Sequence, residues 1–90
     1  MSRRILRVSV SPHFERIVRK LPTRLQRQAT EHDQIFRANP FDGRLKTHPL
    51  KGKLKGLWAY SVDYRHRVLF EFLNDTEVLY HDIGSHDVYR

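Results

Sequence analysis

The segment SPHFERIVRKLP, residues 11–22, constrains the fold of this chain more than any other stretch. Ser11 followed by Pro12 is typical of a helix start, because a serine side chain caps a free backbone N–H and proline fits the first helical position. The apolar residues that follow have the spacing of one helix face: Phe14, Ile17, Val18 and Leu21. A helix with one apolar face needs a second layer to cover it.

A second helix is predicted directly after the first. Pro22 ends the first helix, and Thr23 is predicted to cap the second, which extends to about Asn39. Its apolar face is formed by Leu25, Ala29, His32 and Phe36. The turn signals Asn-Pro and Asp-Gly in ANPFDG end this helix. The two helices form a hairpin that requires a sheet.

Runs of β-branched and aromatic residues supply that sheet. RILRVSVS precedes the helices, and LWAYSV, RHRVLFEF and TEVLYHDIG follow them after the irregular segment LKTHPLKGKLKG. The predicted fold is therefore α+β: a small twisted antiparallel sheet in the order β-α-α-β-β-β, with an N-terminal helical hairpin packed on it. Ninety residues leave room for one core, so residues 1–90 are predicted to be a single domain.

Side-chain alternation along RHRVLFEF assigns its residues to two faces. Val68, Phe70 and Phe72 point one way and are expected to face the helices. Arg67 then points to the opposite face, where it is available to a ligand.

The net charge of +7 is concentrated in two segments. Residues 1–30 hold eight basic side chains against Glu15 alone, and residues 44–67 hold seven against Asp63 alone. Such a surface predicts a polyanionic partner, either nucleic acid or an acidic protein. The absence of cysteine excludes disulfides and Cys-ligated zinc. No apolar run approaches the roughly 20 residues that span a bilayer, so we expect a soluble, cytoplasmic protein without membrane contact.

The six histidines lack the HExxH or paired Cys/His spacing of a metal site, so we predict no metal and no cofactor. Cations and acid–base groups remain: His48 before the sheet, Arg65 and Arg67 on the middle strand, and His86 and Tyr89 after the last strand. RNA cleavage without a metal needs one group to take the 2′-hydroxyl proton and another to protonate the departing 5′-oxygen. It also needs a cation to stabilise the phosphate.

These residues also have structural interpretations. From the residues alone, His48 and His86 are either acid–base groups or ordinary histidines. The lysines before the hairpin either bind RNA or belong to a solvated loop: Lys51, Lys53 and Lys55. The other histidines are predicted to be structural or solvated, with His81 left open: His13, His32 and His66.

The stretch THPLKGKLKGLWAYSVDYRHRVLFEF, followed by VLYHDIGSHDVYR, resembles the RelE/ParE superfamily of bacterial toxins from toxin–antitoxin pairs, and most of all its YafQ-like branch. The HPLKG loop, the YR-x-R-V strand and the IGSH ending carry the resemblance. It implies a twisted antiparallel sheet with two N-terminal helices. It also implies a metal-independent endoribonuclease that cuts messenger RNA in the ribosomal A site by 2′-hydroxyl attack.

The resemblance further implies a role for each site residue. His86 is the expected general acid, His48 an acid or base, Arg67 the phosphate contact, and Tyr89 an aromatic that positions the substrate. The side chains expected to bind RNA are those of Lys51, Lys53, Lys55 and Arg65. The implied partners are a cognate antitoxin protein, the ribosome and messenger RNA, and the toxin is expected to be a monomer when free and part of a hetero-oligomer with its antitoxin.

Two other classes of function stay open at this point. The first is a binding module without nuclease chemistry, either a gyrase-directed member of the superfamily or a degenerate toxin that keeps only antitoxin binding. The second is a generic nucleic-acid-binding domain that causes no growth arrest.

Overall fold

Two α-helices cover one face of a five-stranded sheet in the computed structural model, which describes residues 4–85. The helices are α1 (Pro12–Lys20) and α2 (Thr23–Ala38). The strands are β1 (Arg7–Val10), β2 (His48–Pro49), β3 (Trp58–Ser61), β4 (His66–Phe72) and β5 (Glu77–Ser85). A short 3₁₀ helix, Gly52–Leu54, lies between β2 and β3. The predicted α+β class is confirmed.

The sheet, in the order β1-β5-β4-β3-β2, is antiparallel except at one edge. β1 pairs with β5 in parallel, with Val10 opposite Tyr80. The prediction of an antiparallel sheet is therefore corrected at β1. A parallel pair requires a long crossover connection, which the helical hairpin and the three intervening strands provide. The segment predicted to be irregular also contains the short strand β2.

The ends of the helices show why the chain turns where it does. Ser11 caps α1 as predicted, because its Oγ accepts a hydrogen bond from the N–H of Phe14 at 3.0 Å. The predicted cap at Thr23 is wrong, since Thr23 is already helical and Pro22 occupies the cap position without a side-chain bond. Gln26 instead ties the helices together by donating from Nε2 to the carbonyls of Val18 and Leu21 at 2.9 and 3.0 Å.

The core lies between α2 and the adjacent face of the sheet. Phe36 is fully buried, stacks on Tyr60 and meets the edges of Phe70 and Tyr80, with ring centroids 4.8 to 5.8 Å apart. Val68 and Phe70 are buried in the same cluster, which confirms the alternation predicted for this strand. Arg67 therefore lies on the face away from the helices, called the open face below.

Candidate functional site

The register of the sheet brings two of the predicted site residues to the open face. His48 is paired with Ala59 across β2 and β3, and Arg67 with Ser61 across β3 and β4. Paired side chains share a face, as do residues two apart along a strand, so His48 and Arg67 lie on the same face. Strand spacing separates their Cα atoms by roughly 12 Å.

His48 is exposed and its ring has a defined tautomer. Its Nδ1 lies 2.9 Å from the backbone carbonyl oxygen of Lys46. A carbonyl only accepts hydrogen bonds, so Nδ1 carries the hydrogen and Nε2 carries the lone pair of the neutral ring. His48 can therefore take up a proton at Nε2, as a general base requires.

Lys46, whose carbonyl accepts the hydrogen bond from His48, has an unusual backbone conformation. Lys46 has φ 53°, in the left-handed region that residues other than glycine seldom occupy. The residues just before β2 are held along the edge of β3, because the N–H of Ser61 donates to the Leu45 carbonyl at 2.7 Å. Lys46 thus turns the chain into β2 and directs its own carbonyl at His48.

The guanidinium of Arg67 extends away from His48. Its Nη1 donates to the carbonyl oxygens of Asp63, Tyr64 and His66 at 2.9, 3.2 and 3.2 Å. These carbonyls belong to the β3–β4 turn and to the first residue of β4, so the positive charge lies at the hairpin end of the open face. Among residues 4–85, Nε and Nη2 of Arg67 have no hydrogen-bond partner.

Asp63 organises the same turn. Its Oδ1 accepts hydrogen bonds from the N–H groups of Arg65 and His66 at 2.8 and 2.7 Å, and from Nδ1 of His66 at 2.9 Å. Burial opposes ionisation of this carboxyl group, but the bonds from His66 and Arg65 outweigh it and lower the pKa of Asp63. The carboxylate is therefore occupied within the turn.

A cleft of about 340 Å³ opens beside Arg67. Its walls are formed by His32 of α2, by the segment before β2 and by the β3–β4 hairpin: His32, Arg44, Lys46, Ser61, Asp63, Tyr64 and Arg67. Nδ1 of His32 donates to the Ser61 carbonyl at 2.8 Å, which fixes α2 to the end of β3. Three of the lining side chains are cations and one is an anion, so the cleft is positively charged.

A second cavity, of about 240 Å³, lies between the helical hairpin and the β1 side of the sheet. Three of its polar groups form a hydrogen-bonded chain: Tyr60 Oη donates to Tyr80 Oη at 3.2 Å, and Tyr80 Oη donates to Asp33 at 2.6 Å. Burial raises the pKa of both tyrosines. This cavity is a packing gap with a satisfied polar chain, and the acid–base candidates lie elsewhere.

The other predicted site residues lie in three places: around the 3₁₀ helix, in the β3–β4 turn and beyond the described residues. Lys51, Lys53 and Lys55 are exposed around the 3₁₀ helix. Arg65 was predicted on the middle strand, but it lies in the turn before β4, because the bonds to Asp63 delay the start of the strand until His66. His86 and Tyr89 lie outside the described residues. His86 directly follows Ser85, which is paired with His66 at the hairpin end of β4.

Sequence reasoning missed three residues of the cleft. His32 was predicted to be structural, which its bond to the Ser61 carbonyl bears out, but its place in the cleft wall was not predicted. Lys46 belongs to no motif, and Tyr64 begins the YR-x-R-V stretch without a predicted role of its own. The exposed aromatic in the turn signal SVDYR was a usable sign for Tyr64, which is 93% exposed, but lysine gives no sign of a left-handed backbone at position 46.

Residues 4–85 offer neither a metal site nor a membrane-spanning helix. This part of the chain holds no group of three or more His, Asp or Glu side chains placed to bind a metal ion. It also has no helix of the length and apolar character needed to cross a membrane.

Comparison with known proteins gives a consistent set of relatives, although no family model matches the chain. Toxin YoeB from Streptomyces coelicolor is 31% identical over 67 residues, which cover 74% of this chain and 75% of that protein. The toxin–antitoxin complex RelBE2 from Mycobacterium tuberculosis superposes with a TM-score of 0.76 at 21% identity, covering 94% of this chain and 93% of the other. YafQ from Escherichia coli superposes with a TM-score of 0.73 at 19% identity, covering 90% and 93%. At these identities the solved structures bear on the fold alone.

Proposed function

The chain belongs to the RelE/ParE superfamily of toxins, as its resemblance implied, and on that premise we propose that it is the toxin of a toxin–antitoxin pair and cleaves ribosome-bound messenger RNA. One observation carries the proposal. His48 and Arg67 share the open face of the sheet, and within residues 4–85 neither Nε2 of His48 nor Nε and Nη2 of Arg67 has a hydrogen-bond partner. A base and a phosphate-binding cation are two of the three groups that metal-independent cleavage needs.

The proposed reaction is attack of an RNA 2′-hydroxyl on the adjacent phosphorus. The 2′-oxygen forms a bond to phosphorus as the bond to the 5′-oxygen breaks, giving a cyclic phosphate and a 5′-hydroxyl. His48 takes the proton of the attacking hydroxyl at Nε2. Arg67 stabilises the charge on the phosphate oxygens through Nε and Nη2, for which its side chain would leave the carbonyls of the hairpin and swing toward His48.

The third group, the general acid, is assigned to His86 by the resemblance, with Tyr89 positioning the substrate. β5 supports this assignment, since its Gly84 is paired with Arg67 and its last residue, Ser85, precedes His86. A proton donor at the hairpin end would lie near the cation that holds the phosphate. The reaction as written uses no metal.

The proposed partners are a cognate antitoxin, the ribosome and messenger RNA. The RelBE2 structure is a toxin–antitoxin complex of the same fold, which supports an antitoxin for this chain. An acidic antitoxin would neutralise part of the net charge of +7. The exposed cations Lys51, Lys53, Lys55 and Arg65 border the open face and would hold RNA. We expect the protein to act in the cytoplasm and to be monomeric when free.

The proposal is tested by brief expression in a bacterium, followed by mapping of new messenger RNA 5′ ends. Wild type is expected to give cuts at fixed positions within codons. His48→Gln and His86→Gln should each lose most of these cuts, because 10²- to 10⁴-fold is the usual contribution of an acid or base. His13→Gln removes an exposed histidine of α1 and serves as the matched control.

The pattern of failure separates the alternatives. Growth arrest with intact messenger RNA and DNA damage would replace the ribonuclease by a gyrase inhibitor. No arrest, with retained binding of a co-purifying antitoxin, would indicate a degenerate toxin.

A further inference from the structure

We propose that the cleft beside the β3–β4 hairpin binds the nucleotide next to the scissile bond, with its phosphate on Lys46 and Arg67 and its base on Tyr64. The inference rests on the proposed ribonuclease function. It adds a substrate subsite made largely of residues that the family resemblance does not assign.

The charge balance of the cleft favours an anion. Asp63 is already engaged by three hydrogen bonds from the turn. Arg44 is held by Asp42, to which its Nε and Nη2 donate at 3.0 and 2.9 Å. Lys46 has no ion pair within residues 4–85, and Arg67 is bonded only to neutral carbonyls there. With the Asp63 carboxylate counted, the cleft keeps a net positive charge, and both Lys46 and Arg67 can donate to an anion in it.

The unused groups of these cations are all hydrogen-bond donors, so the ligand must supply acceptors. A phosphodiester offers oxygens that accept from both lysine and arginine. The volume of about 340 Å³ suits one nucleotide and falls within the roughly 300–1,000 Å³ typical of small-molecule sites. His32 holds the wall of the cleft in place through its bond to Ser61 and is assigned a positioning role.

Tyr64 distinguishes a nucleotide from a simple anion. Its ring is 93% exposed at the edge of the cleft and contributes nothing to the core. An exposed aromatic beside phosphate donors is the arrangement with which proteins bind single-stranded RNA, since every base can stack on the ring. An acidic peptide would use the cations but leave Tyr64 without a role.

The backbone of Lys46 links this subsite to the proposed base. Lys46 has a left-handed backbone and lines the cleft, and its carbonyl fixes the His48 ring. Strained backbone of this kind is often found at functional sites. A nucleotide on Lys46 would thus lie next to the group that takes the proton.

The test measures binding without cleavage. The probe is a 2′-O-methyl RNA trinucleotide, which lacks the attacking hydroxyl, and its affinity for the purified full chain is followed by amide chemical shifts. Lys46→Gln and Tyr64→Ala are each expected to weaken binding about tenfold, whereas Tyr64→Phe keeps the ring and the affinity. Lys20→Gln, an exposed lysine on α1, makes the same charge change outside the cleft and should leave the affinity unchanged.

Equal affinity of Lys46→Gln and Lys20→Gln would overturn the proposal, as would a poly-glutamate peptide that binds the cleft in place of the RNA.

Cleavage in cells separates this inference from the proposed function. Normal cleavage by Lys46→Gln and Tyr64→Ala would reject the subsite and keep the ribonuclease. Trinucleotide binding that depends on both residues, in a wild type that cuts nothing, would keep the subsite and reject the ribonuclease.

Discussion

At the scale of single residues, Asp63 determines the shape of the β3–β4 turn and so the position of Arg67. Asp63→Ala removes one oxygen that accepts three hydrogen bonds, two of them from backbone N–H groups that are then left without a partner. We expect a loss of about 1–3 kcal/mol in the free energy of unfolding, measured by urea titration at pH 7. Asp63→Asn keeps the accepting oxygen and should lose clearly less. Equal losses for Ala and Asn would mean that charge alone matters.

The depressed pKa of Asp63 gives a second prediction, in pH. The folded protein holds the pKa of this carboxyl group below its unfolded value of about 3.9, so ionised Asp63 stabilises the fold. Its contribution is complete above about pH 4 and is lost as the pH falls through the folded pKa. The difference in unfolding free energy between wild type and Asp63→Asn should therefore shrink between pH 5 and about pH 2. A constant difference over this range would contradict the assignment.

The alternation of residues along a strand predicts which face of the sheet a side chain occupies. It does not predict which atoms that side chain contacts. The period of two along β4 placed Arg67 on the open face, and the register agrees. Its guanidinium contacts the carbonyls of Asp63 and Tyr64 because the β3–β4 turn brings them within reach, and the alternation does not predict this contact. The hydrogen on Nδ1 of His48 depends likewise on the left-handed backbone of Lys46.

At the scale of elements, Ser11 couples the start of α1 to β5. Its Oγ accepts from Phe14 and donates to the His81 carbonyl at 2.9 Å, next to the irregularity where β4 and β5 change register. Ser11→Ala loses the cap and leaves that carbonyl without its donor, so we expect a loss of about 1–2 kcal/mol in unfolding free energy. Ser9→Ala, on the exposed edge of β1, is the control and should change stability little. Thermal and urea unfolding of both variants decides the case.

The buried chain of hydroxyl groups joins α2 to two strands. Tyr80→Phe leaves the Tyr60 hydroxyl buried without its acceptor and removes the donor to Asp33, whereas Tyr60→Phe removes only the first donor of the chain. We therefore expect Tyr80→Phe to cost about 1–3 kcal/mol in unfolding free energy and Tyr60→Phe less. The order of the two urea midpoints is the measurement, and the reverse order would contradict the direction of the chain.

Local signals predicted most of the elements because each depends on neighbours in sequence. Ser11 and Pro12 gave the start of α1, and the spacing from Phe14 to Leu21 gave its apolar face. The parallel pairing of β1 with β5 depends on contacts between residues about 70 positions apart, and no local pattern encodes it. The same holds for the bond between His32 and Ser61, which turns a residue of the helix face into part of the cleft wall.

At the scale of the whole molecule, the pairing of β1 with β5 brings acidic residues of the C-terminal half beside part of the basic N-terminal half. β1 lies beside β5, where Arg7 pairs with Glu77 at 3.5 Å, and His13 of α1 lies 3.2 Å from Asp82. Few carboxylates remain for the segment 44–67. Asp42, just before it, pairs with Arg44, and Asp63 accepts hydrogen bonds within the turn. Positive charge without a carboxylate partner within residues 4–85 therefore remains on the β2–β3–β4 side, around the open face and the cleft, as it does on the exposed faces of the helices.

This distribution predicts where RNA binding is sensitive to salt. Replacing Lys51, Lys53 and Lys55 together by Gln removes three cations from that side, so the slope of log affinity against log salt should become shallower by about 2, at roughly 0.7 for each single-strand phosphate contact. The matched control replaces Lys20, Arg24 and Arg27 on the helices by Gln, with the same loss of charge and an unchanged slope expected. Fluorescence anisotropy of a single-stranded RNA over a potassium chloride series gives both slopes. If the two variants shifted the slope equally, net charge rather than its position would govern binding, and the assignment of the lysine segment to RNA would be wrong.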